Sequence, residues 1–175
     1  MPLESSQLLK TACFSVDQVS RTLDDGSLHH RQIVRHPGAV TILPMVDDEH
    51  LCLIRNYRVS VDEILIELPA GTREPDESPE ATAHRELIEE TGYQAGSLVL
   101  LHEFLLSPGI LDERMVLFLA TDLRVVGTNR EVGEEIENLV VPFADAINMI
   151  RDGRIQDAKT MVGILAYQQF HQHSR

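Results

Sequence analysis

Positive charge is scarce in this chain: 15 Lys and Arg stand against 28 Asp and Glu, a net charge of −13 with His neutral. A surface of that sign repels a polyphosphate backbone, which excludes a general DNA- or RNA-binding role. It also repels small anionic substrates, so binding one requires divalent metal or well-placed arginines to reverse the sign locally. Cysteine is as sparse. Cys13 and Cys52 lie 39 positions apart with no CxxC and no His pairing, so neither a zinc knuckle nor a disulfide framework is indicated. Cys52, inside the apolar run Leu51-Cys52-Leu53-Ile54, reads as a core thiol. No stretch approaches the ~18 consecutive apolar residues of a membrane span. The first residues, MPLESSQLLK, lack the basic-then-apolar order of a secretion signal. The expectation is a soluble cytoplasmic protein with no membrane or nucleic-acid partner.

What is present is an ordinary globular composition over 175 residues, 43% hydrophobic, 25% charged and 5% aromatic, enough for one domain with its own core. Residues 1–36 are more polar and turn-rich than the rest. There, Ala12 to Val19 and Leu28 to Val34 flank the turn signal Asp24-Asp25-Gly26-Ser27, which predicts a β-hairpin extension. A second hairpin is predicted from Ala39–Val46 and Leu51–Tyr57 around Asp47-Asp48-Glu49-His50, followed by a short strand, Ile64–Leu68, ending at Pro69-Ala70-Gly71. Ser78-Pro79-Glu80 has the order of an N-cap, a first-position proline and a first-turn acid, and Gly92 supplies a stop, framing a helix from about Pro79 to Thr91. Strands are expected at Leu98–Leu106, Arg114–Thr121 and Ile136–Val141, and helices at Phe143–Asp152 and Ala158–His171. The class is therefore α+β with a mixed sheet, the body being residues 37–175.

The predicted helix after Pro79 carries Glu86, Glu89 and Glu90 at i, i+3 and i+4, three carboxylates on one face. Such a run is ordinarily a solvated acidic face. Here Arg85 precedes it, able to pair with Glu77 or Glu89, and Gly71 brings a strand end to the helix start. Hard oxygen ligands so grouped suit Mg²⁺ or Mn²⁺, with substrate phosphates as further ligands.

Residues 71–93, GTREPDESPEATAHRELIEETGY, match the Nudix box, Gly-x5-Glu-x7-Arg-Glu-U-x-Glu-Glu-x-Gly-U with U apolar, through Gly71, Glu77, Arg85, Glu86, Leu87, Glu89, Glu90, Gly92 and Tyr93. The chain thus resembles the Nudix hydrolases, and the resemblance implies an α/β/α sandwich with a mixed sheet that hydrolyses a nucleoside-linked diphosphate. It implies Glu86 and Glu90 as metal ligands, Glu89 as a further ligand or supporting group, Arg85 as the residue holding the glutamates, and the Ala70 carbonyl as completing the site. At least two metals are expected to act.

The flanks resemble the ADP-ribose pyrophosphatase subfamily. Pro108 of Ser107-Pro108-Gly109 lies 16 positions after Gly92, Glu113 and Arg114 follow that loop, and Ile54-Arg55-Asn56-Tyr57-Arg58 and Glu67-Leu68-Pro69-Ala70-Gly71 lead into the box. Arg58 is the candidate cation for the substrate diphosphate or terminal ribose phosphate, because a guanidinium binds phosphate oxygens bidentately. Tyr57, Glu113 and Arg31, with Arg35 beside it, are candidates for the rest of the substrate. The resemblance places a general base in the acidic loop at 129–137. Glu134 fits best and Glu131 or Glu135 are the alternatives, since Val132 occupies a position usually acidic in relatives. The eight histidines form no ligand cluster.

Three functions are expected in descending order. The first is hydrolysis of ADP-ribose to AMP and ribose 5-phosphate. The second is the same chemistry on another nucleoside diphosphate sugar such as GDP-mannose. The third is a sensor that binds such a nucleotide without cleaving it. By the same resemblance the N-terminal hairpin exchanges across a homodimer.

Overall fold

The computed structural model describes residues 4–128 and 136–171, and the chain forms two compact units. The first comprises the chain up to Gly38 together with Phe104–Arg114. Its three antiparallel strands, β1 (Glu4–Lys10), β2 (Ser15–Thr22) and β3 (Leu28–Arg35), pair in that order. The β2–β3 pair is the predicted hairpin. Its turn closes through Leu23 N–H to Ser27 O (2.8 Å), with Gly26 at φ +81° where a side chain would be strained. The hairpin expectation missed β1: all seven of its residues are exposed, so no buried face imposes an alternation on the sequence. Residues 11–14 form a turn rather than strand, with Thr11 Oγ1 accepting from Phe14 N–H at 3.0 Å. The Phe104–Arg114 segment is fastened to β3 by Val34 N–H to Ile110 O (2.8 Å) and Asp112 N–H to Val34 O (3.1 Å). Arg35 adds an ion pair to Asp112 (2.8 Å) and one to Asp17 on β2 (3.3 Å).

The second unit spans Ala39–Glu103 and Met115–Arg175. One sheet runs β7 (Ala70–Thr72), β4 (Ala39–Pro44), β10 (Arg114–Thr121), β9 (Ser97–Leu105). In it β4 and β10 are parallel and β7 is antiparallel to β4. The other is antiparallel, with β5 (His50–Arg58) between β12 (Ile136–Pro142) and β6 (Glu63–Glu67). The short strands β8 (Tyr93–Gln94) and β11 (Arg124–Val125) pair separately. The predicted second hairpin is corrected here. Val46 N–H bonds His50 O at 2.8 Å and Asp47 gathers the turn, yet beyond the Met45–Leu51 bridge the strands enter different sheets. All of β4 and Leu51–Ile54 are buried on both faces, and each strand already has a neighbour on either edge, which leaves no pairing for a hairpin.

Helix α1 (Pro79–Glu86) begins as read from the sequence, Ser78 Oγ accepting from Ala81 N–H at 3.2 Å. It does not continue as α-helix to Thr91: Leu87–Thr91 widen into a π-helical turn, closed by Gly92 at φ +74°. Two further helices follow, α2 (Phe143–Arg151) and α3 (Ala158–Phe170). One face of the four-stranded sheet, through Val40, Ile42, Val116, Phe118 and Ala120, packs on Ala83 of α1 and Leu87 of the π turn. On the opposite face α3 brings Gly163 against Leu68 and Leu117. The α+β class and the helix–sheet–helix layering are as expected. No described helix is long and apolar enough to cross a membrane.

A Cβ at Gly163 would lie 2.6 Å from Leu68 Cδ1 and 3.3 Å from Leu117 Cδ1, and both leucines are fully buried. Gly163→Val should therefore cost about 2 kcal/mol through overpacking, measured as a lower urea midpoint. An unchanged midpoint would show that this layer yields freely.

Candidate active site

One guanidinium organises the box. Arg85 donates Nε–H to Glu77 Oε1 (3.0 Å), Nη1–H to Glu86 Oε1 (2.7 Å) and Glu89 Oε2 (2.9 Å), and Nη2–H to Glu77 Oε2 (3.1 Å) and the Thr72 carbonyl (3.3 Å). These bonds occupy all five donors of the side chain. Glu77 is the best-held partner, also accepting from Thr82 Oγ1 (2.8 Å) and Glu74 N–H (3.3 Å). The Arg85 fork pulls the Glu77 carboxyl down to about 2, well below its ordinary 4.5. In return Glu77 foremost, with Glu86 and Glu89, raises the arginine further.

Glu86 is held close to the backbone. Its carboxylate lies over Gly71, where a built Cβ would fall 1.8 Å from Oε1, so no residue with a side chain fits there without displacing it. Glu90, only 4% exposed, accepts from Ala70 N–H at 2.9 Å, tying the π turn to β7. The end of that turn is pinned as well. Thr91 Oγ1 donates to Leu87 O, and Asn138 Nδ2–H of β12 caps the Thr91 carbonyl at 2.7 Å. Single π turns inside α-helices recur at functional sites, because they aim side chains that a regular helix would place elsewhere.

Among the described residues no three His, Cys, Asp or Glu side chains converge tightly enough to hold an ion as they stand. Arg85 lies between Glu86 and Glu89, and Glu90 bonds Ala70. The donor set nevertheless fits a hard cation. Carboxylate oxygens of Glu86 and Glu89 already converge within 2.9 Å of one positive nitrogen, and three carboxylates, those of Glu77, Glu86 and Glu89, share the one Arg85 guanidinium, an excess of negative charge.

Arg58, at the end of β5, is not free in this structure. Glu67 on β6 takes Nε–H at 2.8 Å and Nη2–H at 2.6 Å. Lys159 of α3 binds the same Glu67 Oε2 and also Asp157 at 3.0 Å. Burial opposes ionisation of Glu67, but Arg58 and Lys159 outweigh it and hold its carboxyl below the ordinary range. Glu67 foremost raises Arg58, and the charge of Glu90 contributes, so the guanidinium is within electrostatic reach of the box. Glu67 and Lys159 were not singled out from the sequence. The signal was present: a lone acid at the end of the apolar strand Ile64-Leu65-Ile66-Glu67 must find a partner if buried.

The other candidates are more scattered. Tyr57 is partly exposed, its hydroxyl donating to Asp62 at 2.6 Å. Arg31 and Glu113 belong to the first unit. Arg31 is exposed on β3, and Glu113 lies 3.6 Å from His36 Nδ1. Glu134, with its alternatives Glu131 and Glu135, lies outside the described residues.

A layered fold carrying this box is what the family comparison finds: the NUDIX domain model matches residues 35–162. The chain belongs to the NUDIX family. It is 36% identical to an ADP-ribose pyrophosphatase of Bacillus subtilis, covering 93% of this chain and 91% of that protein. It is 34% identical to a methanol dehydrogenase activator of Bacillus methanolicus (85% and 80% covered) and 36% identical to a GDP-mannose pyrophosphatase of Klebsiella pneumoniae (85% and 80%). A crystal structure described as an ADP compounds hydrolase superposes with a TM-score of 0.83 over 95% of this chain and 91% of its own, at 24% identity, and supports the fold.

The Glu77 carboxyl ionises more readily folded than unfolded, so its stabilisation is complete above about 4.5 and is lost as pH falls toward about 2. In chelator-treated protein, wild-type stability should fall more steeply across that window than that of Glu77→Gln, read from denaturant midpoints against pH. Parallel curves would mean that Glu77 does not draw on Arg85.

Proposed function

We propose that this chain is a metal-dependent pyrophosphatase that cleaves ADP-ribose to AMP and ribose 5-phosphate. The observation carrying this reading is the complete box gathered on Arg85, in a chain whose similarity to a named ADP-ribose pyrophosphatase runs through both units. Glu86, Glu90 and Glu89, with the Ala70 carbonyl, are the groups we assign to Mg²⁺, with Mn²⁺ as a substitute. Bound there, the metal supplies charge neutralisation for the diphosphate and a lowered pKa for water. Arg85 keeps Glu86 and Glu89 at one point. Arg58 grips the diphosphate or terminal phosphate, and Tyr57, Arg31 and Glu113 meet the rest of the substrate. Glu134 takes the proton from the attacking water, with Glu131 and Glu135 as alternatives. As the new oxygen–phosphorus bond forms, the bridging oxygen leaves with the second phosphate.

The division into an N-terminal extension, residues 1–36, and a hydrolase domain, residues 37–175, is part of the same reading, and so is a cytoplasmic homodimer joined through the extension. Exposed Leu8, Leu9, Leu23 and Leu28 in the small first unit support the dimer. A second reading keeps the chemistry and changes the substrate to another nucleoside diphosphate sugar, favoured by the similarity to a GDP-mannose pyrophosphatase.

The deciding experiment compares ADP-ribose, GDP-mannose and a nucleoside triphosphate with Mg²⁺, using Glu90→Gln as the blank. ADP-ribose should be hydrolysed fastest, and chelation or Glu90→Gln should remove the activity. Preference for GDP-mannose would establish the second reading. Binding of ADP-ribose with no hydrolysis of any of the three would make the protein a sensor. Separately, Glu134→Gln should lower kcat by roughly 10²–10⁴-fold with little change in KM. A near-normal rate would move the base to Glu131 or Glu135.

A further inference from the structure

Beside the box lies a buried charged pair, Glu67 and Lys159, that the chemistry above leaves without a task. The Glu67 side chain is 1% exposed and that of Lys159 9%, whereas Arg58 at the outer end is 39% exposed. A buried ion pair is weak evidence for stability, since apolar side chains of similar volume often serve the fold as well. Its geometry suits another purpose. Glu67 takes Arg58 by two parallel hydrogen bonds, which fixes the guanidinium plane as well as its position. Lys159 holds Oε2 of that carboxylate and is itself held by Asp157, so the fork cannot swivel. Asp157 is in turn fixed as the N-cap of α3, accepting from Thr160 N–H and Oγ1–H at 3.0 and 2.6 Å. One edge of the guanidinium is thus committed, and Nη1 is left without a hydrogen-bond partner among the described residues.

We propose that Glu67 and Lys159 are positioning residues for substrate: they hold Arg58 rigid so that its open Nη1 edge meets an anionic oxygen of the nucleotide sugar. This rests on the reading that Arg58 grips substrate. A long side chain normally loses rotamer freedom when it binds, and one already clamped has less to lose, so the effect belongs in binding rather than in the chemical step.

A double-mutant cycle on the full-length protein tests it, with KM and kcat for Mg²⁺-dependent hydrolysis of ADP-ribose measured for Glu67→Gln, Arg58→Ala and the pair. Each single change should raise KM about tenfold and alter kcat less than about threefold, and the pair should be no worse than Arg58→Ala alone. Multiplying effects, about a hundredfold in KM, would overturn the proposal, as would a fall in kcat with KM unchanged. An unaltered KM in Arg58→Ala would overturn both the proposal and the Arg58 assignment. If wild-type protein binds ADP-ribose without hydrolysing it, the function reading fails by itself, and the same cycle read as Kd by calorimetry still decides the positioning role. Should Glu67→Gln fail to fold by circular dichroism, Lys159→Met takes its place in the cycle, leaving Glu67 on Arg58 while removing its brace. It should raise KM about threefold, and that rise should vanish when Arg58 is alanine.

Discussion

The site depends on the placement of one positive charge among many negative ones. Glu77, Glu86, Glu89 and Glu90 would repel one another and weaken the helical segment that carries the last three, were Arg85 not bonded to Glu77, Glu86 and Glu89 together. A lysine offers three donors from a single point and cannot span partners on two sides of a plane, whereas the guanidinium reaches a loop carboxylate, two helical carboxylates and a strand carbonyl at once. Helix, preceding loop and β7 are thereby joined at the side-chain level.

A second set of bonds fixes β7 from the other side. Thr160, fully buried at the start of α3, accepts from Leu68 N–H at 2.8 Å and donates to Asp157. The segment leading to Pro69-Ala70-Gly71 is therefore anchored to α3 before it reaches the box, and Ala70 N–H then anchors Glu90. The acid that reacts to burial, Glu67, sits immediately before this anchor. Fold and chemistry share the same few residues at this edge of the sheet, and a disturbance in α3 would reach the glutamates through Leu68.

Much of this was legible in the sequence because its causes are local. The apolar runs of β4, β5 and β10 mark strands buried on both faces, Ser78-Pro79-Glu80 marks a helix start, and the spacing from Gly71 to Tyr93 carries the box. What was not legible depends on distance or on exposure. β1 has no buried face to shape its sequence. The separation of β4 from β5 is decided by strands contributed from elsewhere in the chain. Glu67 and Lys159 are 92 positions apart, and nothing local to either announces the other. Arg58 is marked in the sequence by its guanidinium and its place in Ile54–Arg58, whereas its orientation comes from a carboxylate on the next strand.

The π turn has a consequence for evolution and for design. Because Leu87–Thr91 depart from α-helical winding, the facing of Glu89 and Glu90 is not set by residue spacing alone. It also needs the left-handed Gly92 and the Asn138 cap on Thr91, contributed from β12. The box is therefore not a portable cassette. Grafted onto an ideal helix away from β12, the same 23 letters would lose the Asn138 bond that pins Thr91, and the last two acids would be aimed by winding alone.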